Sequence, residues 1–241
     1  MSANTLHLEA HGRDGATVVG TIRGTGLLRA SRPFAEGAAT RIVVGHLGPG
    51  MVRGDAFTTS GRVAKGAHLI VAGQMATRVL SGPDPVTSTA HWVVEPDARL
   101  ELISEPTLVA AGASYDARLE IALEPGARAI VTELVRRERG AALRVATVVH
   151  RGERAALIDV LRFDADDPED AAIGTLALFG PADLDALDRA ADRCENVRVG
   201  IGRLRDDDVL ARVFGASTWA VREALDALRV AALPEARQDL G

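Results

Sequence analysis

The sequence predicts a mainly β protein of stacked antiparallel strands, arranged in the manner of a β-helix, with two helices near the C-terminus. Three observations lead to this fold class: period-two alternation over the first two-thirds of the chain, a weak internal repeat, and helical spacing confined to the C-terminal region. Alternation of apolar and polar residues marks strands that bury one face, and it is most typical of antiparallel sheets.

The strands are clearest where alternation is strict. Every second residue of segment 6–11 is apolar, and Leu119, Ile121 and Leu123 show the same spacing. Turns that contain glycine or proline, such as segment 48–50, separate the alternating stretches. These stretches are expected to form the sheets of the protein.

The internal repeat consists of a strand, a tight turn and a second strand. Its turns are centred on Gly66, Asp97 and Gly126, which lie 31 and then 29 positions apart. Glycine and aspartate tolerate the backbone angles of such turns. Repeated units of roughly 30 residues suggest stacked β layers that share one continuous core. Chance similarity among hairpins is the alternative explanation.

Helical spacing predicts two helices, over residues 181–193 and 216–232. Apolar residues recur there at intervals of three or four, and Ser217 is available as an N-cap of the second helix. Segments 197–204 and 209–214, which lie between the helices, are expected to be strands.

Composition limits the classes of function. The 241 residues are 47% hydrophobic with a formal net charge of −5, which suits a single domain over residues 1–241 and does not suit a binder of the phosphate backbone. Cys194 is the only cysteine, so no disulfide can form within the chain, as is usual in a reducing compartment. No apolar run approaches the roughly 20 residues of a membrane span. We expect a cytoplasmic protein that binds neither nucleic acid nor membranes.

Sequence motifs for common catalytic sites are missing. The single lysine, Lys65, is followed by Gly66, so there is no phosphate-binding loop, and no Gly-x-Ser-x-Gly element offers a nucleophile. The six histidines form neither a His-Glu-x-x-His motif nor a cluster with Cys194, so no closed metal site is indicated. We expect no catalytic residues and no tightly bound cofactor.

Two carboxylates stand out by their positions. Glu133 is in register with Val131 and Val135 on a predicted strand, so it faces the same side as apolar residues, where a carboxylate is costly unless it is paired or hydrated. Two interpretations stay open: an ion pair with one of the many arginines, or a carboxylate that lines an internal polar passage or an interface. Asp55 follows Gly54 at a strand start, where an aspartate side chain often bonds its own backbone. The alternative is a functional role, as for Glu133.

Three further side chains could contact a partner. Gln74 and Arg78 share one face of a strand-like segment, where they present an amide and a guanidinium together or are ordinary exposed residues. Trp219, at the start of the second predicted helix, is either a partner anchor, since aromatic residues are enriched at interfaces, or a residue that covers the core.

Several segments, taken in order along the chain, carry a resemblance to one family. They are segment 48–55, which ends in Gly-Asp; segment 73–79, with Gln74, Thr77 and Arg78; segment 97–102, with Leu100 and Glu101; Glu133 after a Gly-Ala turn; and a C-terminal region with Arg212, Gly215, Trp219 and Arg222. Together these segments resemble the UreD family of urease accessory proteins, also called UreH.

The resemblance implies a function and a set of partners. In the family picture the protein is a maturation chaperone without catalytic activity, bound to the helical accessory protein UreF and the GTPase UreG on urease apoprotein, with a homodimer as one arrangement within the complex. Nickel passes through a polar internal passage without tight binding. The residues implied for that passage or an interface are Asp55, Gln74, Thr77, Arg78 and Glu133, and those implied for a C-terminal partner contact are Trp219 and Arg222.

Two other classes of protein fit the same observations. One is an unrelated all-β module for protein interaction, which would share the repeats and the lack of catalytic motifs. The other is an enzyme whose site is assembled from distant residues such as Asp55, His68 and Glu133, since a fold alone never excludes one. Binding to urease subunits distinguishes a UreD-family protein from the unrelated interaction module. An activity screen of the isolated protein distinguishes it from the enzyme.

Overall fold

The computed structural model describes residues 3–52, 54–167 and 171–232, with the backbone alone at residue 171. The strands are β1 (Asn4–Arg13), β2 (Ala16–Gly24), β3 (Leu28–Ala30), β4 (Phe34–Glu36), β5 (Ala39–His46), β6 (Ala56–Val63), β7 (His68–Gly73), β8 (Thr77–Val79), β9 (Val86–Val94), β10 (Arg99–Ile103), β11 (Thr107–Val109), β12 (Ser114–Leu123), β13 (Arg128–Arg137), β14 (Ala142–Arg151), β15 (Arg154–Phe163), β16 (Ala171–Phe179), β17 (Val197–Arg203) and β18 (Val209–Gly215). The helices are α1 (Leu184–Ala191) and α2 (Thr218–Ala232). The mainly β fold with two helices near the C-terminus is confirmed.

Within the described residues the strands form two sheets that face each other. The first sheet has the order β15-β14-β12-β9-β6-β1-β2. The second has the main order β17-β18-β16-β13-β10-β7-β5-β3, and the short strands β4, β8 and β11 pair beside it. The main core lies between the sheets, where Trp92 and Ile121 from the first sheet meet Leu69 and Leu100 from the second.

The predicted repeat is present as successive coils of the chain that stack on one another. His68 on β7 is the register partner of Arg99 on β10, and Arg99 is the partner of Arg128 on β13. These residues are 31 and 29 positions apart, the same spacing as the repeated turns. The weak sequence repeat therefore reports real structural equivalence between coils.

The repeated turns have the backbone that the sequence predicts. Gly66, Asp97 and Gly126 adopt positive φ angles of 70°, 60° and 75°. Glycine reaches this region without a steric penalty, and aspartate tolerates it better than most residues. The turns also stack on one another, because the Gly66 N–H donates to the carbonyl of Pro96, 3.3 Å away.

The direction of strand pairing differs from the prediction in the middle of the fold. Strands β6, β9, β12 and β14 pair in parallel in the first sheet, as do β5, β7, β10 and β13 in the second. Antiparallel pairs lie toward the ends of the stack, for example between β1 and β2 and between β14 and β15. Alternation shows only that one face is buried, whereas stacked coils bring equivalent strands together in the same direction. The predicted antiparallel pairing is thus corrected to parallel pairing for the central coils.

The two helices begin at side-chain caps. Asp183 accepts a hydrogen bond from the Ala186 N–H at 2.9 Å, and Ser217 accepts one from the Ala220 N–H at 3.4 Å, as the sequence predicts for Ser217. The expected strands between the helices are present as β17 and β18. In the described part of the chain, no helix combines the length and the apolar character that a membrane crossing requires.

Strand β13 is buried on both faces, and this arrangement positions the site described below. Val131 and Val135 face the core between the sheets. Ile130 and Leu134 face the opposite way, into a second apolar cluster that includes Leu225 of α2. The helices therefore cover the outer face of the second sheet, and Glu133 lies on the inner face.

Candidate functional site

A cavity of about 550 Å³ lies between the two sheets. Its walls are inward-facing residues of successive coils. Register partners Thr59, Ala90 and Leu119 line it on the first sheet, and register partners Val71, Leu102 and Val131 line it on the second. The cavity therefore runs in the direction in which the coils stack.

Small inward-facing side chains leave this space unfilled. Thr59, Ser88 and Ala90 line the cavity, where larger residues would bridge the gap of roughly 10 Å between packed sheets. The large Trp92 ring fits between the sheets because its neighbour in register is Gly61, and a Cβ at Gly61 would overlap that ring.

One end of the cavity is bordered by exposed residues. The lining residues Gln74 and Met75 are exposed, Met75 by 70%, whereas the lining residue Trp92 is buried. Gln74 is anchored by its N–H, which donates to the carbonyl of Val44 at 3.0 Å, and the missing side chain of Gly45 leaves room for its amide. This end of the cavity is its mouth.

Glu133 lies on the cavity wall. It occupies the inner face of β13 together with Val131 and Val135, as alternation predicts. Removal from water raises the pKa of this carboxyl group to about 7, and the nearby charge of Asp159 acts in the same direction. The positive charge of Arg212 opposes them. Glu133 thus exchanges a proton near neutral pH.

Arg212, the arginine whose charge lowers the pKa of Glu133, is bonded to other partners. Its guanidinium donates to both carboxylate oxygens of Asp159, at 2.6 and 2.7 Å, and to the hydroxyl of Thr175 at 2.8 Å. Asp159 therefore competes with Glu133 for Arg212, which weakens the first interpretation of Glu133 as half of a dedicated ion pair. The second interpretation, a carboxylate on an internal wall, matches its position on the cavity.

Two titratable cavity residues were missed by the sequence analysis. Burial and the charge of Glu133 raise the pKa of Tyr115 to about 12, so its hydroxyl keeps its proton. Burial lowers the pKa of His46, against the effect of Asp55, and its ring stands edge-on to Phe57 with centroids 4.8 Å apart. Within the described residues the buried Nε2 of His46 has no hydrogen-bond partner. Only the position of His46 just before the glycine-rich segment 48–55 could have drawn attention to it.

The structure brings together most of the residues proposed for a passage. Gln74, Thr77, Arg78 and Glu133 all line the same cavity. Asp55 is not among the residues that line it; its carboxylate accepts a hydrogen bond from the Val52 N–H at 2.8 Å. This contact with nearby backbone corresponds to the structural interpretation of Asp55.

The two residues proposed for a C-terminal contact have different surroundings. Trp219 is 71% exposed in the first turn of α2, so it does not cover the core; the buried face of that helix is formed by residues such as Leu225. Arg222 donates to the Ser104 carbonyl at 2.8 Å and forms an ion pair with Glu105. Ser104 and Glu105 line the cavity, so Arg222 fastens α2 to the cavity wall.

A second charged cluster lies on the outer face of the second sheet. The carboxylate of Glu101 is 2.9 Å from Nε2 of His68, 3.0 Å from the Arg99 guanidinium and 3.2 Å from that of Arg229 on α2. Burial opposes ionisation of Glu101, but the His68 hydrogen bond and the arginine charges outweigh it and lower its pKa. His68 and Glu133 therefore face opposite sides of the sheet, and the enzyme site suggested from Asp55, His68 and Glu133 is not assembled.

Within the described residues, no group of three or more His, Cys, Asp and Glu side chains is placed to hold a metal ion. The fold and the cavity define a class of protein: a β-solenoid with an internal cavity that carries a half-buried, titratable carboxylate.

Comparison with known proteins gives the family. Residues 2–239 match the model of the family described as UreD urease accessory protein. A urease accessory protein UreD from Bacillus sp. (strain TB-90) is 26% identical, over 91% of this chain and 90% of that relative. Those from Sorangium cellulosum (strain So ce56) and Cereibacter sphaeroides (strain ATCC 17025 / ATH 2.4.3) are 27% and 28% identical, over 86% and 93% of this chain and 73% and 92% of the relatives. The chain belongs to the UreD family of urease accessory proteins.

Proposed function

We propose that this chain is a maturation chaperone for urease, and that it guides nickel through its internal cavity toward the active site of urease apoprotein. The observation that carries the proposal is the position of Glu133, a carboxylate on the wall of a cavity that is otherwise lined largely by apolar and uncharged side chains. A carboxylate in such surroundings attracts a cation more strongly than one in water.

The chemistry of the cavity supports transit. A conduit must bind its ion strongly enough to admit it and weakly enough to release it. The wall carries the carboxylate of Glu133, the phenol of Tyr115 and the imidazole of His46 as oxygen and nitrogen ligands, whereas the other lining carboxylate, Glu105, is paired with Arg222. Nickel is then a cargo that passes these groups in turn, and no cofactor is bound tightly.

The mouth of the cavity supports entry from a partner. Gln74, Thr77 and Arg78 line the cavity in this region, and Arg222 ties the adjacent wall to α2. In this proposal the chain works in the cytoplasm in a complex with UreF and the GTPase UreG on urease apoprotein, with two copies of the chain as one arrangement. Nucleotide hydrolysis belongs to the partner, and this chain needs no catalytic residue of its own.

The test is activation of urease apoprotein by variants of this chain together with UreF, UreG, GTP and nickel. Glu133→Gln keeps the size of the side chain and removes its charge, so activation is expected to fall while the variant stays folded. Glu124→Gln is the matched control, because Glu124 is exposed at a turn. Full activation by folded Glu133→Gln would contradict a role for this carboxylate in nickel transit.

A protein-interaction module without any conduit is the second candidate function, and the exposure of Trp219 favours it. It is distinguished by the same experiment. An interaction module alone would tolerate every conservative change on the cavity wall and lose activation only through changes at the surface.

A further inference from the structure

Glu133 lines the cavity, and polar side chains continue beyond it on both sheets. Glu133 on β13 is the register partner of Thr175 on β16, and Thr175 is the partner of Arg212 on β18. Arg212 in turn is the partner of Gly200 on the edge strand β17, where a Cβ would meet open space. One row of inward-facing positions thus leads from the cavity to the last strand of the stack.

The opposite sheet continues the same polar layer. Thr147 on β14 is the register partner of Asp159 on β15, the edge strand of the first sheet. Both face the core side, because Val145 and Leu157, two positions away on the same strands, belong to the core between the sheets. Thr147 and Thr175 are each 6% exposed, so hydroxyl groups stand here where the neighbouring inner positions are apolar.

The ion pair between Arg212 and Asp159 joins the two sheets at this end. Their side chains are 19% and 18% exposed, so the pair is within reach of solvent while Thr175 behind it is buried. Two charge-assisted hydrogen bonds and a third bond to Thr175 fix the guanidinium across the gap. A cation that leaves Glu133 in this direction meets a positive charge.

We propose that the conduit has a second end, between β15 and β18, and that the Arg212–Asp159 ion pair is the gate that closes it. Resting on the proposed function, this assignment gives a divalent cation a path from the mouth, past Glu133, to the far end of the coil stack. The closed pair keeps the cation in the cavity, and separation of the pair opens the polar layer formed by Thr147 and Thr175.

Cysteine accessibility tests the gate without any need for urease. In a Cys194→Ser background, the Thr175→Cys variant reports access behind the gate, and the Ala90→Cys variant reports access to the cavity from the mouth. The probe is the small uncharged thiol reagent methyl methanethiosulfonate, because Asp159→Ala leaves the positive charge of Arg212 in place and that charge would repel a cationic reagent. Asp159→Ala removes the gate. Asp206→Ala is the control, because it removes the exposed ion pair of Asp206 with Arg154, which lies on β15 like Asp159.

We expect Asp159→Ala to speed modification of the Thr175→Cys variant by at least about tenfold, since charge-assisted bonds hold the closed state. Asp206→Ala should leave that rate unchanged, and neither change should alter the rate for the Ala90→Cys variant. Equal rates with both substitutions would overturn the gate. Equal acceleration at both reporter positions would also overturn it, because the pair would then only stabilise the fold. Failure of urease activation by Glu133→Gln is a separate result and bears on the conduit alone.

Discussion

Gly61 and Trp92 are register partners on the neighbouring parallel strands β6 and β9, and the Trp92 ring occupies the space that a side chain at Gly61 would need. The ring is 1% exposed and lines the cavity. A single glycine therefore allows the largest side chain of the core to lie between the sheets.

Gly61→Ala is expected to destabilise the protein by about 1–3 kcal/mol, the usual cost of overpacking a core. Gly200→Ala is the control, because Gly200 is also a strand glycine but has open space around its Cβ position. Urea unfolding of both variants measures the difference. Equal free energies of unfolding would show that the Trp92 ring moves aside without cost.

The pKa of Glu133 predicts a pH dependence of stability. The folded protein binds this proton more tightly than the unfolded chain, since the pKa rises from 4.5 to about 7 on folding. Stability is therefore complete with respect to this group below pH 4.5 and falls as the pH rises toward 7. Glu133→Gln removes the penalty, so its gain over the parent should be about 2–3 kcal/mol larger at pH 8 than at pH 5.

Urea unfolding of the parent and Glu133→Gln at both pH values checks this prediction, because all other titrations are common to the two proteins. Parallel stability curves would mean that the carboxyl group is as well solvated in the cavity as in the unfolded chain.

The buried cluster around Glu101 predicts a large loss of stability on charge removal. Glu101→Gln leaves the cations Arg99 and Arg229 without their common partner, so the expected loss is about 3–5 kcal/mol. Glu120→Gln, which affects an exposed pair with Arg118, should cost no more than about 1 kcal/mol. Thermal unfolding compares the two variants, and a similar small loss in both would show that the Glu101 cluster is already open to water.

The exposed ring of Trp219 predicts a loss of binding without a loss of stability. If it anchors a partner, Trp219→Ala should weaken binding by about 2 kcal/mol or more, the cost typical of a central interface residue. Val230→Ala, a smaller change at an exposed position of the same helix, is the control. Affinity is measured separately for UreF, UreG and urease apoprotein. Unchanged affinity for all three would show that Trp219 does not anchor any of these partners.

The sequence predicts the local features of this fold well. The turns at Gly66, Asp97 and Gly126, the N-cap at Ser217 and the inner position of Glu133 all follow from patterns within a few residues. Parallel pairing was missed because alternation carries no information about strand direction.

Contacts between distant residues could not be predicted in the same way. Glu101 meets Arg229 across 128 positions, and Arg212 meets Asp159 across 53, and nothing in the sequence selects these partners from the many other charged residues. The cavity itself depends on small residues, such as Ala90, that are ordinary in any strand. The cavity could not be predicted because its lining residues come from several coils that are distant in the sequence.

If this chain carries nickel to urease, as proposed, the nickel content of each urease active site must differ between cells with and without the chain, and that content is the most direct measurement. Without the chain, or with Glu133→Gln in its place, urease subunits should be present but poor in nickel and inactive. Restoring the parent chain with both partners, GTP and nickel should return occupancy and activity together. Equal, full nickel occupancy with and without the chain would contradict the account.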